Sequence, residues 1–133
     1  MAKSTAEKLL LKPGAALWCS DAARIPLLGD LPEGVTVTSR LASATAAVVF
    51  VDSQAAARAA VKRLAKALLA TPLVWFVYPK GGRADVNRDS LWPIVAEHGM
   101  RPITQVAVDE TWSALRFRPL REDEPPFQPG ASA

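Results

Sequence analysis

The fold is decided by AAVVFV at residues 46–51 and LVWFVY at residues 73–78. Both runs are apolar at odd and even positions alike, which is typical of parallel strands covered by helices on both faces. Between them, residues 54–69 repeat apolar side chains at helical spacing and carry their cations on another face. This strand–helix–strand order predicts an α/β domain with a mostly parallel sheet.

The sequence on either side of this unit extends the same pattern. Ser4 and Glu7 form a capping-box pattern for a short first helix, which Pro13-Gly14 ends. The remaining predicted elements are strands at Ala15–Cys19 and Val35–Thr38, a helix at Ser90–His98 with Pro93 in its first turn, and strands at Ile103–Val108 and Trp112–Phe117. We therefore predict a three-layer sheet of about six strands, closed by an antiparallel C-terminal pair.

The chain of 133 residues has the length of one domain. We assign residues 1–120 to that domain. Residues 121–133 contain one base, three acids and three prolines, so we expect an acidic, proline-rich, disordered tail.

Composition excludes several classes of protein. The single cysteine, Cys19, rules out a disulfide scaffold and a cysteine-based zinc site, and we expect no metal. No run has the length and apolar character of a signal peptide or a membrane helix, so we expect a cytoplasmic protein that does not bind membranes. The net charge of +3 is compatible with anionic ligands, but no dense basic stripe of a nucleic-acid binder is present.

Several short motifs together resemble a known family. They are Leu11-Lys12-Pro13-Gly14, Leu31-Pro32-Glu33-Gly34, Tyr78-Pro79-Lys80 and, most specifically, residues 108–113, VDETWS. They are similar to a small bacterial family of unknown function with a Rossmann-like sheet, from about Glu7 to Arg118. The resemblance implies a fold and a bacterial source but no activity. The element order also resembles a truncated S-adenosylmethionine methyltransferase.

A nucleotide or adenosylmethionine site requires glycines directly after the first strand and an acid at the end of the second. Here the first position holds residues 19–24, CSDAAR, and the second holds Thr38-Ser39-Arg40. We therefore expect a degenerate cofactor site and no cofactor.

The loop after the second buried run is the best candidate for a ligand site. Two glycines leave backbone N–H groups approachable and two cations flank them, which suits a phosphate or carboxylate. Together with polar residues near the ends of neighbouring strands, the predicted anion site consists of Lys80, Gly81, Gly82, Arg83, Tyr78, Asp21 and Arg24.

The other polar residues have structural interpretations. Asp52 or Ser53 is expected to cap the following helix, and Asp109 with Glu110 is expected to form a turn. His98 ends a helix far from Cys19, so a Cys–His catalytic pair is not expected and no catalytic residue is assigned.

Three hypotheses on function remain open. The first is a non-catalytic domain that binds a small anion or a partner protein. The second is an atypical S-adenosylmethionine-dependent methyltransferase with a pocket at Cys19, Asp21, Asp52 and Tyr78. The third is weak nucleic-acid binding. A homodimer through an edge strand of the closing hairpin is also considered.

Overall fold

The computed structural model describes residues 5–80, 84–121 and 123–124. Within this part, six strands form one sheet: β1 Ala16–Cys19, β2 Thr36–Val37, β3 Ala46–Phe50, β4 Leu73–Pro79, β5 Met100–Ala107 and β6 Trp112–Pro119. The helical elements are α1 Thr5–Lys8, a 3-10 segment at Ala22–Leu28, a 3-10 turn at Leu41–Ser43, α2 Gln54–Leu69 and α3 Arg88–Ala96. The predicted α/β class and the six-stranded sheet are confirmed.

The strands lie in the order β2-β1-β3-β4-β6-β5. Neighbours from β2 to β4 pair in parallel, whereas β6 pairs antiparallel with both β4 and β5. β6 therefore runs against the direction of the other strands and is inserted between β4 and β5. This confirms the predicted antiparallel C-terminal pair.

The two faces of the sheet are covered unequally. α2 and α3 cover one face, where Trp18 packs at the border of the cluster that contains Val49 and Phe76. We call this the thick face. The thin face is covered by α1 and the 3-10 segment, and Trp75 in its core donates its indole N–H to the Leu9 carbonyl oxygen at 2.8 Å. The three-layer arrangement follows from the alternation of side chains in β3 and β4, which places apolar residues on both faces.

α3 begins two residues earlier than predicted, and the prediction that Pro93 fits only in its first turn is wrong. The Asn87 side chain accepts a hydrogen bond from the Ser90 N–H at 3.0 Å, and Ser90 Oγ accepts one from the Asn87 N–H at 2.9 Å. This reciprocal cap starts the helix at Arg88, so Pro93 lies inside it. The sequence signal is weak because serine replaces the usual glutamate or glutamine of a capping box.

β5 lies at one edge of the sheet, as expected for the closing hairpin. Pro102 interrupts its hydrogen bonding, and the register with β6 shifts between Pro102 and Thr104. A proline and a bulge are common at sheet edges because an edge strand needs fewer ladder bonds. The homodimer through this edge stays a prediction.

The start of the predicted tail contacts the sheet. Glu124 forms ion pairs with Arg101 at 2.6 Å and with Arg118 at 2.7 Å. Residues 125–133, which make up most of the tail expected to be disordered, lie outside the described residues.

None of the helices in the described part of the chain is both long enough and apolar enough to span a bilayer.

Candidate functional site

A cavity of about 350 Å³ opens beyond the carboxyl ends of β1 and β3. β2 lies on one side of β1 and β3 on the other, so the strand order reverses at this point. Open α/β sheets usually bind their ligands at such a reversal, because the connections leave the two strand ends in opposite directions. We call this the switch-point cavity.

The turn after β1 is fixed by hydrogen bonds to β3. Ser20 Oγ accepts the Phe50 N–H at 2.7 Å, and the Ser20 N–H donates to the Val48 carbonyl oxygen at 3.0 Å. These two bonds hold the floor of the cavity in place. Serine satisfies the end of β3 here, at a position where a cofactor-binding turn would have a glycine.

Asp21 and Arg24 form a second fixed unit on the same turn. Asp21 Oδ1 accepts the Ala23 N–H at 3.2 Å and caps the 3-10 segment, while Oδ2 accepts from Arg24 Nε at 2.9 Å. The Arg24 guanidinium carbon lies 4.6 Å from the ring centroid of Trp112. A cation held by a carboxylate and an aromatic face keeps a defined orientation.

Trp112 and Phe50 form the aromatic edge of the cavity. Their ring centroids are 5.5 Å apart and the rings meet at 85°, an edge-to-face contact. Trp112 is the first residue of β6, which places it beside the carboxyl end of β4. Trp112 is only 8% exposed, so it packs into the protein, and its ring also positions Arg24.

The opposite wall comes from α2. Ala56, Ala59 and Ala60 line the cavity with Arg63, a spacing that places all four on one helical face. The small alanine side chains leave the space open, and Arg63 adds a cation to its lining. Among the described residues, Arg63 has no ion-pair or hydrogen-bond partner.

Asp52 is an exposed carboxylate in the lining of the cavity. The expectation that Asp52 or Ser53 caps α2 is resolved in favour of Ser53, whose Oγ accepts the Ala56 N–H at 2.9 Å. Asp52 is therefore not needed for the cap, and within the described part of the chain it forms no hydrogen bond or ion pair.

Two of the predicted anion-site residues, Asp21 and Arg24, line this cavity together. Tyr78 is buried, and its hydroxyl accepts a hydrogen bond from Gln105 Nε2 at 2.8 Å, so it packs in the thick face away from the cavity. Lys80 follows β4 at the same edge, with its N–H bonded to the Thr111 carbonyl oxygen. Gly81, Gly82 and Arg83 lie outside the described residues.

Cys19 is not an activated nucleophile. Burial raises the pKa of the thiol, and Sγ donates to the Asp21 carbonyl oxygen at 3.2 Å. His98 follows α3 at the opposite edge of the sheet, close to the start of β5. Asp109 accepts the N–H groups of Thr111 and Trp112, which confirms its predicted role in the turn.

Sequence reasoning did not assign Phe50, Arg63 or Trp112 to this site. The cationic partner of Trp112 is Arg24, which lies 88 positions away in the sequence and is brought to Trp112 only by the sheet order. The alanines four and seven positions before Arg63 were the available signal, because they mark an open helical face.

The chain is similar in fold to two streptococcal structures. A protein in the NADB-Rossmann superfamily from Streptococcus agalactiae matches with a TM-score of 0.56 and 10% identity, covering 90% of this chain and 69% of that chain. A candidate tRNA (m1A22) methyltransferase from Streptococcus pneumoniae matches with a TM-score of 0.56 and 12% identity, covering 90% of this chain and 71% of that chain.

No protein-family model and no curated protein matches this sequence. The comparisons therefore support a Rossmann-like α/β fold and do not support the bacterial family of unknown function that the motifs resemble. At these identities the likeness concerns the fold alone.

Proposed function

We propose that this domain binds a small anionic ligand in the switch-point cavity and catalyses no reaction on it. The observation that carries the proposal is that Arg24 and Arg63 line one cavity at the reversal of the strand order. Arg24 is oriented by Asp21 and Trp112, and Arg63 has no partner within the described part of the chain. Guanidinium groups bind phosphate and carboxylate with paired hydrogen bonds.

The cavity also contains an acceptor that a simple anion would not use. Asp52 adds a carboxylate to the same lining, and no described residue pairs with it. A ligand that combines an anionic group with an amino or hydroxyl donor would therefore match both Arg63 and Asp52. The volume of about 350 Å³ suits a small molecule of this kind.

The lack of catalysis is supported by the state of the reactive groups. The Cys19 thiol has a raised pKa, and Asp109 is engaged by two backbone N–H groups. Acid–base or nucleophilic catalysis requires such a group to be free and within reach of a bound ligand. Among the described lining residues Asp52 meets this condition, and we assign it to ligand binding because its polar neighbours Asp21 and Ser20 are engaged by Arg24 and by the Phe50 N–H.

The alternative is an atypical S-adenosylmethionine-dependent methyltransferase. The antiparallel β6 between β4 and β5 and the fold of the streptococcal candidate methyltransferase favour it. The turn after β1 argues against it, because Ser20, Asp21 and Arg24 occupy the place where a glycine turn would admit the cofactor.

Calorimetric titration with O-phosphoethanolamine and with inorganic phosphate tests the proposal. We expect Arg63→Met to weaken binding of both probes by about tenfold or more, because it removes a charge-assisted hydrogen bond. Asp52→Asn should weaken binding of O-phosphoethanolamine alone. Lys62→Met, which removes an exposed cation from the same helix outside the cavity lining, should change neither.

If neither probe binds, or if Lys62→Met reduces affinity as much as Arg63→Met, the proposal is wrong. Titration with S-adenosylmethionine separates the alternative. Stoichiometric binding of that cofactor at Ser20 to Arg24 would favour the methyltransferase, whereas we expect no measurable heat.

A further inference from the structure

A second cavity of about 510 Å³ lies on the thin face, at the amino ends of β3 and β4. The segment between α1 and β1 borders it on one side, and β6 borders it on the other. Its apolar lining consists of Leu10, Leu11, Ala15, Ala46, Pro72 and Leu73. We call it the amino-edge groove. The switch-point cavity lies at the carboxyl ends of the strands, so the two sites share no lining residue.

The charges in the groove are all positive. Among its described lining residues, Lys12 and Arg116 carry charge and no acid is present. Arg116 Nε is buried and has no hydrogen-bond partner within the described part of the chain. A buried N–H without an acceptor is costly, so its persistence in a native fold calls for an explanation. An anionic group brought by a ligand would provide acceptors for this guanidinium.

The neighbouring arginine on the same strand shows the contrast. Arg118 lies two residues along β6 and forms an ion pair with Glu124 at 2.7 Å. Arg118 thus has an acid as its partner, whereas Arg116 has none among the described residues. The two side chains lie on the same face of β6 because strand residues alternate between faces with a period of two.

Leu10 provides an independent observation at the same place. It has a φ of +65°, the left-handed conformation that favours glycine, and its side chain is 48% exposed. It follows α1 as the left-handed residue of the helix end, where Leu10 N–H bonds to the Glu7 carbonyl oxygen and Leu11 N–H to that of Ala6. Residues held in sparsely populated backbone conformations cluster at binding sites, and this one also leaves an apolar side chain exposed in the lining of the groove.

We propose that the amino-edge groove binds a straight-chain aliphatic carboxylate. The carboxylate is held by Arg116 with support from Lys12, and the hydrocarbon chain lies against Leu10, Leu11 and Leu73. Charge complementarity selects an anion over a neutral or cationic head group, and the apolar lining selects a hydrocarbon body over a small inorganic ion. This site is separate from the proposed function of the switch-point cavity.

The test is calorimetric titration of the full chain with decanoate, 1-decanol and decyltrimethylammonium, each below the concentration at which it forms micelles. Decanoate should bind at least tenfold more tightly than either of the others. Arg116→Met, which keeps a long aliphatic stem, should lower the decanoate affinity at least tenfold. Lys62→Met, which removes an exposed cation outside the linings of both cavities, should leave it unchanged.

Equal binding of decanoate and 1-decanol would overturn the proposal, as would equal effects of Arg116→Met and Lys62→Met. If Arg116→Met does not fold, the affinities of the three probes for the unmodified chain test the proposal. A preference for the carboxylate head group distinguishes a carboxylate site from a nonspecific apolar surface. Two-dimensional NMR provides the location. Shifts at Leu11, Ala46 and Leu73 support the groove, and shifts confined to Asp21 and Asp52 contradict it.

Discussion

The switch-point cavity lies at the carboxyl ends of the parallel strands and the amino-edge groove lies at their amino ends. The two sites differ in the charged side chains that line them. In the switch-point cavity, both signs are present and Arg24 is held by Asp21 and an aromatic ring. In the groove, only cations are present and Arg116 has no acceptor among the described residues. The first site is shaped by turns that follow strands. The second is shaped by a helix end that leaves part of a sheet face uncovered.

The difference shows how one small domain forms two kinds of surface. Strand carboxyl ends lead into polar turns, and those turns satisfy each other through bonds such as that between Ser20 and Phe50. The thin face has only α1 and a 3-10 segment to cover it, so apolar side chains remain accessible at its amino edge. Substitutions at four positions test this difference between the two sites.

The largest effect is expected for Trp112→Ala. Trp112 is buried, contacts Phe50 and supports Arg24, so its loss leaves a cavity at the switch point. We expect a loss of about 3–5 kcal/mol in the free energy of unfolding, measured by urea denaturation. Trp112→Phe should retain most of that stability. A loss for Trp112→Ala of less than about 1 kcal/mol would show that this edge is not built around the ring.

A smaller effect is expected for Ser20→Ala. The substitution removes the acceptor of the Phe50 N–H and loosens the floor of the switch-point cavity. We expect a loss of about 1 kcal/mol, the net value of one hydrogen bond. Ser43→Ala, in the 3-10 turn at Leu41–Ser43 and outside both cavities, is the control. Equal stability of the two variants would contradict a structural role for the Ser20 hydroxyl.

At the groove, a difference of similar size is expected between the stabilities of two Leu10 variants. Leu10→Gly and Leu10→Ala remove the same apolar contacts, but only glycine adopts the positive φ without a steric cost. Leu10→Gly should therefore be more stable than Leu10→Ala by about 1 kcal/mol in thermal or urea unfolding. If the Leu10→Ala variant is as stable as Leu10→Gly, the backbone of Leu10 is not strained and does not mark the groove as a binding site.

The smallest effect concerns the partner of Arg118. A hydrogen bond from the Arg118 side chain, joined by those from the Arg121 N–H and from Arg101, holds the pKa of Glu124 well below its usual range. A lowered pKa contributes stability above the ordinary glutamate pKa of about 4.3, and that stability is lost as the pH falls below it.

Glu124→Gln should therefore lower stability at neutral pH and make it less dependent on pH in the acid range. Urea denaturation at a series of acid pH values measures both changes. Glu110→Gln, at an exposed position in the β5–β6 turn, is the matched control and should leave the acid dependence unchanged. An unaltered acid dependence in Glu124→Gln would show that Arg118 gains nothing from its acid, and the contrast with Arg116 would disappear.

The sequence predicted the architecture well because burial on both faces leaves an unambiguous pattern. Residues 46–51 and 73–78 could only be covered strands, and α2 was predicted with its observed bounds. β2 was predicted with four residues and has two, since only Thr36 and Val37 reach the register with β1. Helix starts were less certain, as the Asn87–Ser90 cap shows.

The site was predicted only in part. Asp21 and Arg24 were identified because they follow a strand, and strand ends meet at one edge. Trp112 and Arg63 were not, because their contribution depends on which strands neighbour each other and on how α2 is rotated. The groove was not predicted at all. The left-handed conformation of Leu10, and the lack of an acid beside Arg116 in the described part of the chain, arise only on folding and leave no pattern in the sequence.

A two-dimensional NMR titration of the full chain with inorganic phosphate tests most directly whether the switch-point cavity binds an anion. We predict that shifts concentrate at Ser20, Asp21 and Asp52, and that Arg63→Met abolishes most of them while Lys62→Met preserves them. Shifts that are absent, or that persist unchanged in Arg63→Met, would contradict an anion site at the reversal of the strand order.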